Sequence, residues 1–341
     1  MKTTKLLLMN FFMNPIAPEE IKQITSKMKP KTSSGFDCIQ MKTVKSIIDH
    51  IKIPLAHIFN QSFLKGTVPN QMKLAKIIPI FKSGQKNLFK NYRPISLLPA
   101  FSKILEKIVC NRLLQFLDKY NILYSHQYGF RKKHSTIHPI IHLLNYIAES
   151  NDKVTKDLTL GIFLDLSKAF DTIPHYTLIK KLEHYGIRGL SNSWFKSYLS
   201  DRTQFMEIKS NKSTELVIDC GVPQGSILGP ILFILYINDL HKATKLNILS
   251  FADDTTVYTS GRDINEVISS TNIELDKLYK WFCANKLQLN TNQSLLIFCP
   301  RQSRLPNVLN NLSISNQIIT RIGNHCDEKS IRKSLGISNH D

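Results

Sequence analysis

FADDTTVY, residues 251–258, sets two adjacent carboxylates between short apolar runs, and its reading decides the fold. Residues 246–259 read as strand, tight turn, strand, with Asp253-Asp254 at the turn. Upstream, LTLGIFL (158–164) is a nearly unbroken apolar run that stops at Asp165, the pattern of a central strand buried on both faces. Three carboxylates therefore stand where strands end or turn. Crowded carboxylates are costly unless a cation neutralises them. Asp-Asp at a hairpin is, by itself, ordinary turn chemistry.

Working outward, residues 18–65 read as mostly helical with a break at Ser33-Ser34-Gly35-Phe36, and LAKIIPIF (74–81) reads as a strand followed by a turn at Lys82-Ser83-Gly84. Leu97–Leu117 carries a helical apolar face, and a further helix is expected from Ser135-Thr136, with Thr136 as cap and Pro139 in the first turn. Helices are expected around 175–185, stopped by Gly186 as a left-handed cap, and around 191–199. Phe205–Ile208 and Leu216–Ile218 suggest a strand pair. Asp263–Phe282 reads as an amphipathic helix, and after Cys299 the pattern weakens. Without a low-complexity linker or internal repeat, one continuous domain is the simplest reading.

Among 341 residues, Lys and Arg outnumber Asp and Glu by 45 to 26, a net charge of +19. Such an excess repels itself in a compact fold, and a polyanion relieves it, nucleic acid before an anionic membrane. The basic clusters, Lys27–Lys31, Lys82–Arg93, Arg131–Lys133 and Lys329–Arg332, are dispersed, which suits a groove lined from several segments. The bland alternative is a solvated, lysine-rich surface. Six cysteines, at 38, 110, 220, 283, 299 and 326, form no C-x-x-C pair, so neither a zinc site nor a disulfide framework is read from them. The apolar patch Leu6–Met9 with Phe11 and Phe12, like Ile231–Ile237, is too short to span a bilayer. The expectation is an intracellular protein of nucleus or cytoplasm, neither secreted nor membrane-bound.

FLDLSKAFD (163–171), GVPQGSILGPILFILYINDL (221–240) and FADDTTVY (251–258), in that order, resemble motifs A, B and C of reverse transcriptases, most closely the LINE-type (non-LTR, jockey-like) retrotransposon enzymes. IIPIFKSGQKNLFKNYRPISLLP (77–99) and HQYGFRKKHST (126–136) resemble the fingers motifs of that family, and KWFCANKLQLN (280–290) resembles motif D. The likeness runs from about residue 14 to 340. It implies an α+β right-hand palm-and-fingers fold, an RNA template, a DNA primer or target and dNTP substrates. Residues 1–65 would lead as a helical extension into fingers and palm at 66–300, with a partial primer-grip region at 301–341.

The resemblance assigns roles residue by residue. Asp165 and Asp253, with Asp254 beside them, would hold two Mg²⁺ ions, or Mn²⁺ in their place, for nucleotidyl transfer. Phe170, five residues after Asp165, matches the aromatic that fills the space of a ribose 2′-hydroxyl; its bland reading is a core Phe. Asp171 complicates this, because RNA-dependent RNA polymerases place an acid near there. Gln224 would lie against the incoming nucleotide, with Gly225 allowing close backbone approach. Lys82, Arg93 and, with less support, Arg131 match positions that grip the triphosphate. His134, His138 and His142 recur at helical spacing without the glutamate of a H-E-x-x-H site, so no metal is assigned to them.

Gln293 stands where motif D usually has a lysine, and KSLGIS (333–338) resembles the start of a primer grip. The thumb is expected to be absent or incomplete, with endonuclease and thumb encoded elsewhere or lost. Two functions stay open: an RNA-directed DNA polymerase, or a decayed copy that only binds nucleic acid.

Overall fold

The computed structural model describes residues 9–154, 157–208, 211–290, 294–298, 312–314, 317–318 and 320–323. Its helices are α1 (Pro18–Lys27), α2 (Met41–Lys65), α3 (Ala100–Lys119), α4 (Ile137–Asp152), α5 (His175–His184), α6 (Gly189–Leu199), α7 (Gly229–Ile237) and α8 (Ile264–Ala284). The strands are β1 (Leu74–Phe81), β2 (Tyr92–Leu97), β3 (Leu158–Leu164), β4 (Leu166–Ser167), β5 (Arg202–Ile208), β6 (Asn211–Lys212), β7 (Leu216–Ile218), β8 (Asn247–Phe251), β9 (Asp254–Gly261), β10 (Gln288–Leu289), β11 (Ser294–Phe298), β12 (Ser313–Ile314), β13 (Gln317–Ile318) and β14 (Thr320–Gly323). Two compact units result, and they interleave along the sequence: Met1–Ile122 with Phe170–Tyr236, and Leu123–Ala169 with Ile237–Asp341. Composition carries no mark of such crossings.

In the first unit, β1 pairs antiparallel with β2 and parallel with β5, and β5 pairs with β7 and β6. Leu216–Ile218 pairs with β5 as a strand, but through Arg202–Gln204 and not through the expected Phe205–Ile208, of which Glu207 and Ile208 pair with β6. The helix expected from Leu97 starts at Ala100 instead. Pro99 stands at its N-cap, and Tyr92–Leu97 is drawn into the sheet by β1, a pairing with no local signal. The core is aromatic: Trp194, Phe195, Tyr198 and Phe59 are each at most 1% exposed, and Trp194 Nε1 donates to Ser62 Oγ at 2.9 Å. The apolar N-terminal patch contributes Met9 and Phe11 to this core, Phe11 edge-on to Phe116. Gly186 ends α5 at φ +94°, as its position after the apolar face suggests.

In the second unit the sheet order is β14-β11-β3-β9-β8. All seven residues of β3 are buried, which explains why its sequence lacks alternation. α4 packs on β3 and β8, and Tyr128, Leu143, Phe163, Leu249 and Tyr258 share one apolar cluster. Asp263 caps α8, its Oδ1 accepting from Asn265 N and Glu266 N at 2.7 and 3.1 Å. The expected Thr136 cap is corrected: Thr136 makes no side-chain cap bond, and Ser135 is instead coupled to His138 Nδ1, through both its N–H and its hydroxyl at 3.0 Å. Among the described residues, no helix is long and apolar enough to cross a membrane. Gln293, Cys299, Cys326 and residues 333–338 lie outside the described residues.

Candidate active site

The three sequence-flagged carboxylates all belong to the second unit and to its central strands. β3 and β9 run antiparallel with Leu164 opposite Thr255, so Asp165 and Asp254 each stand one residue beyond that last pair. β8 and β9 form a hairpin closed by the Phe251–Asp254 pair, which leaves Ala252-Asp253 as a two-residue turn. Ala252 has φ +59°, the sign that a tight hairpin needs at its first turn position. Asp165 is exposed, while Asp253 and Asp254 are half-buried. Asp165 is also held by the residue that follows β10: its carbonyl accepts from Asn290 N, and its Oδ2 accepts from Asn290 Nδ2, both at 2.8 Å. No group of three or more His, Cys, Asp or Glu among the described residues is arranged to hold a metal ion. The donors at this sheet edge are nevertheless hard carboxylate oxygens, partly open to solvent. That fits Mg²⁺, which is usually held by one or two carboxylates and completed by substrate phosphates.

Apart from Arg131, the residues assigned to the nucleotide belong to the first unit. Phe170 is half-buried and stacked on Phe233, ring centroids 4.7 Å apart, and its carbonyl accepts from Val222 N at 2.7 Å. Gln224 Nε2 donates to both oxygens of Asp171, at 2.9 and 3.0 Å. The loop carrying Gln224 lies on β2, where its carbonyl accepts from Ser96 N at 2.7 Å. Gly225 has φ +103°, and a Cβ there would come within 2.9 Å of Ser96 O. The close backbone approach seen at this glycine is thus to β2. Lys82 and Arg93 are exposed on the β1–β2 hairpin; Arg93 pairs with Ile80, and alternation carries Lys82 to the same face.

Beneath that loop is a basic cavity of about 420 Å³, within the same unit. Lys27, Lys29, Lys31, Lys103 and Lys107 line it, with no acidic residue among the described lining. Burial holds Lys103 below the usual lysine pKa; Lys31 adds to that, while Glu106 and Asp37 oppose it. Of the clusters noted in the sequence, Lys27–Lys31 is therefore drawn together with two α3 lysines.

Arg131 belongs to the second unit, where its Nη1 donates to the Tyr124 and Gln127 carbonyls at 3.2 and 3.1 Å. It braces its own loop. His134, His138 and His142 bond or stack with Lys132, Ser135 and Tyr128 or His126.

Sequence reasoning missed two anchors. Asn290 fixes Asp165 from the end of a segment noted only for its likeness to motif D. Glu106 of α3 is 1% exposed and accepts from Ile227 N at 2.6 Å, Leu228 N at 3.3 Å and the Tyr198 hydroxyl at 3.2 Å, just where α7 begins. Burial raises its pKa, although Arg202 and these donors pull it down. A glutamate within KILEKI, three and four residues from apolar neighbours, could have been flagged as an unexplained charge on an apolar face.

A family model for reverse transcriptase (RNA-dependent DNA polymerase) matches residues 80–321. Among curated proteins, the probable RNA-directed DNA polymerase from transposon BS of Drosophila melanogaster is 32% identical over 304 residues, 85% of this chain and 33% of that protein. The RNA-directed DNA polymerase from mobile element jockey of the same fly is 31% identical over 310 residues, 88% of this chain and 34% of the relative. The probable RNA-directed DNA polymerase from its transposon X-element is 28% identical over 309 residues, 88% and 33% of the two chains. This chain thus spans about a third of the length of these relatives.

Proposed function

The chain belongs to the reverse transcriptase (RNA-dependent DNA polymerase) family, which implies the palm-and-fingers polymerase fold, and on that premise we propose that it catalyses RNA-templated DNA synthesis for a non-LTR retrotransposon. The observation that carries this reading is the placement of Asp165, Asp253 and Asp254 on adjoining strand ends of one sheet, inside the segment the family model matches. Asp165 and Asp253, with Asp254 beside them, would hold two Mg²⁺ ions, or Mn²⁺ in their place, which would supply charge neutralisation and Lewis acidity for phosphoryl transfer to a primer 3′-hydroxyl.

The remaining roles belong to the chain's own groups. Asn290 holds the Asp165 carboxylate in one orientation. In the first unit, Phe170 supplies bulk against a 2′-hydroxyl, Gln224 is oriented by Asp171 to meet the nucleotide, and Gly225 seats that loop on β2. Lys82 and Arg93 offer cations to a triphosphate. The five-lysine cavity offers charge to backbone phosphates of an RNA template or DNA primer. Arg131 serves the same end by stiffening its loop. A binding remnant with little activity is the second reading, favoured by Gln293 in place of the motif D lysine.

Primer extension on an RNA template tests the choice. Asp253→Asn should lower the single-turnover rate by at least about 10³-fold while leaving template affinity within twofold. Wild-type activity in that variant would refute the carboxylate assignment, and template binding without extension by the unaltered chain would favour the remnant.

A further inference from the structure

The HQYGFR segment is legible only as a likeness to a fingers motif, yet it is moulded onto the turn that carries Asp253. Residues 126–128 run alongside β8: Ser250 N donates to His126 O at 2.9 Å and Tyr128 N to Ser250 O at 2.8 Å. Gln127 is 3% exposed, and its carboxamide does not point to solvent or into the apolar core. Its Oε1 accepts from Ala252 N at 3.1 Å and from Gly129 N at 2.8 Å, and its Nε2 donates to Ala252 O at 3.3 Å. Two N–H donors at one end and a carbonyl at the other fix which end of the amide is oxygen. A single side chain thus grips both peptide groups of Ala252.

Ala252 is where a grip is needed. Its φ of +59° belongs to the left-handed region, which alanine enters only at a cost, and Asp253 is the next residue. Gly129 completes the cradle, since a Cβ there would lie 2.1 Å from Ala252 N. We infer that Gln127 is a positioning residue: it holds Ala252 in the strained turn and so aims the Asp253 carboxylate. Only a carboxamide of this length both accepts and donates here. Glutamate keeps the acceptor, loses the donor and adds a negative charge beside the carboxylates. The inference rests on the polymerase reading of Asp253 for its catalytic consequence, though the grip itself does not.

The test uses the full 341-residue chain and four variants: Gln127→Ala, Gln127→Glu, Ala252→Gly, and Gln127→Ala combined with Ala252→Gly. Hydrogen exchange reads the grip without catalysis. Amides of residues 251–254 should lose protection in Gln127→Ala while those of β3 keep theirs. Primer extension then reads the consequence. Gln127→Ala and Gln127→Glu should lower kcat on the order of ten- to a hundredfold with dNTP KM within twofold, because an aim is lost and not a binding contact. Glycine enters the left-handed region freely, so Ala252→Gly should restore much of the kcat that Gln127→Ala loses. Unchanged exchange at 251–254 overturns the inference whatever the activity. Increased exchange with unchanged kcat, or a loss that Ala252→Gly does not relieve, overturns it as well. A wild-type chain that extends no primer sinks the polymerase reading separately, and exchange still decides the grip.

Discussion

Gln224 and Asp171 are joined through one amide nitrogen that donates to both carboxylate oxygens, at 2.9 and 3.0 Å. An acid beside a nucleotide sugar usually suggests recognition of a 2′-hydroxyl, but here the carboxylate is occupied by a glutamine within its own unit. Its charge strengthens the bond that orients Gln224; such bonds contribute about 1.5–3 kcal/mol. Asp171→Ala should therefore raise the dNTP KM by roughly ten- to a hundredfold, the kinetic equivalent of that range. The ratio of rNTP to dNTP use should stay within about twofold. A selective loss of rNTP use would instead make Asp171 a sugar reader.

Phe170 leans on Phe233 and is half-buried, so its removal has two separable effects. Phe170→Ala should cost about 1–3 kcal/mol in urea unfolding, below the range for a fully buried Phe. Steady-state incorporation should show rNTP use rising relative to dNTP use. Equal loss of both substrates would leave only the packing role.

The lysine-lined cavity makes the charge of +19 local. Each phosphate contact removed should flatten the dependence of log affinity on log salt by about 0.7–0.9. Lys103→Gln with Lys107→Gln should thus lower the slope for RNA by roughly 1.4–1.8, as read by fluorescence anisotropy over a salt series. An unchanged slope would place the nucleic-acid backbone elsewhere.

Glu274 of α8 ties the approach to β8: its carboxylate accepts from Thr244 Oγ1, Lys245 N and Lys277 Nζ at 2.9, 2.7 and 2.6 Å. Burial alone would raise its pKa, but these hydrogen bonds lower it from the ordinary glutamate value of 4.5 to about 2. Because the folded pKa is depressed, the stabilisation is present above 4.5 and is lost as pH falls through about 2. Glu274→Gln should be less stable than wild type at pH 6, and the gap should close between those two values. Chemical denaturation at several pH values measures it.

What was legible in the sequence follows from how far each signal reaches. β3 announces itself through a nearly unbroken apolar run, and α8 through the apolar face of Asp263–Phe282. β2 does not, because YRPISL becomes a strand only by lying against β1, and Pro99 resets the helix behind it. The carboxylates could be flagged from their place after apolar runs. Their supports could not: Asn290 reaches Asp165 across 125 residues, and Glu106 reaches Ile227 across 121. A side chain that serves a distant backbone has no periodicity of its own.

The interleaving of the two units bears on how the chain is made. The first unit takes in Met1–Ile122 and then Phe170–Tyr236, so Leu123–Ala169 must be made before that unit has all its parts. β1 waits for β5, whose nearest paired residues, Leu74 and Thr203, are 129 positions apart. Within the second unit, β3 emerges earlier than its partner β9 by about ninety residues, and it is nearly all apolar. During synthesis that strand is a bare template for pairing with other chains. Expression yield should therefore respond to translation speed and to chaperones that shield extended apolar segments.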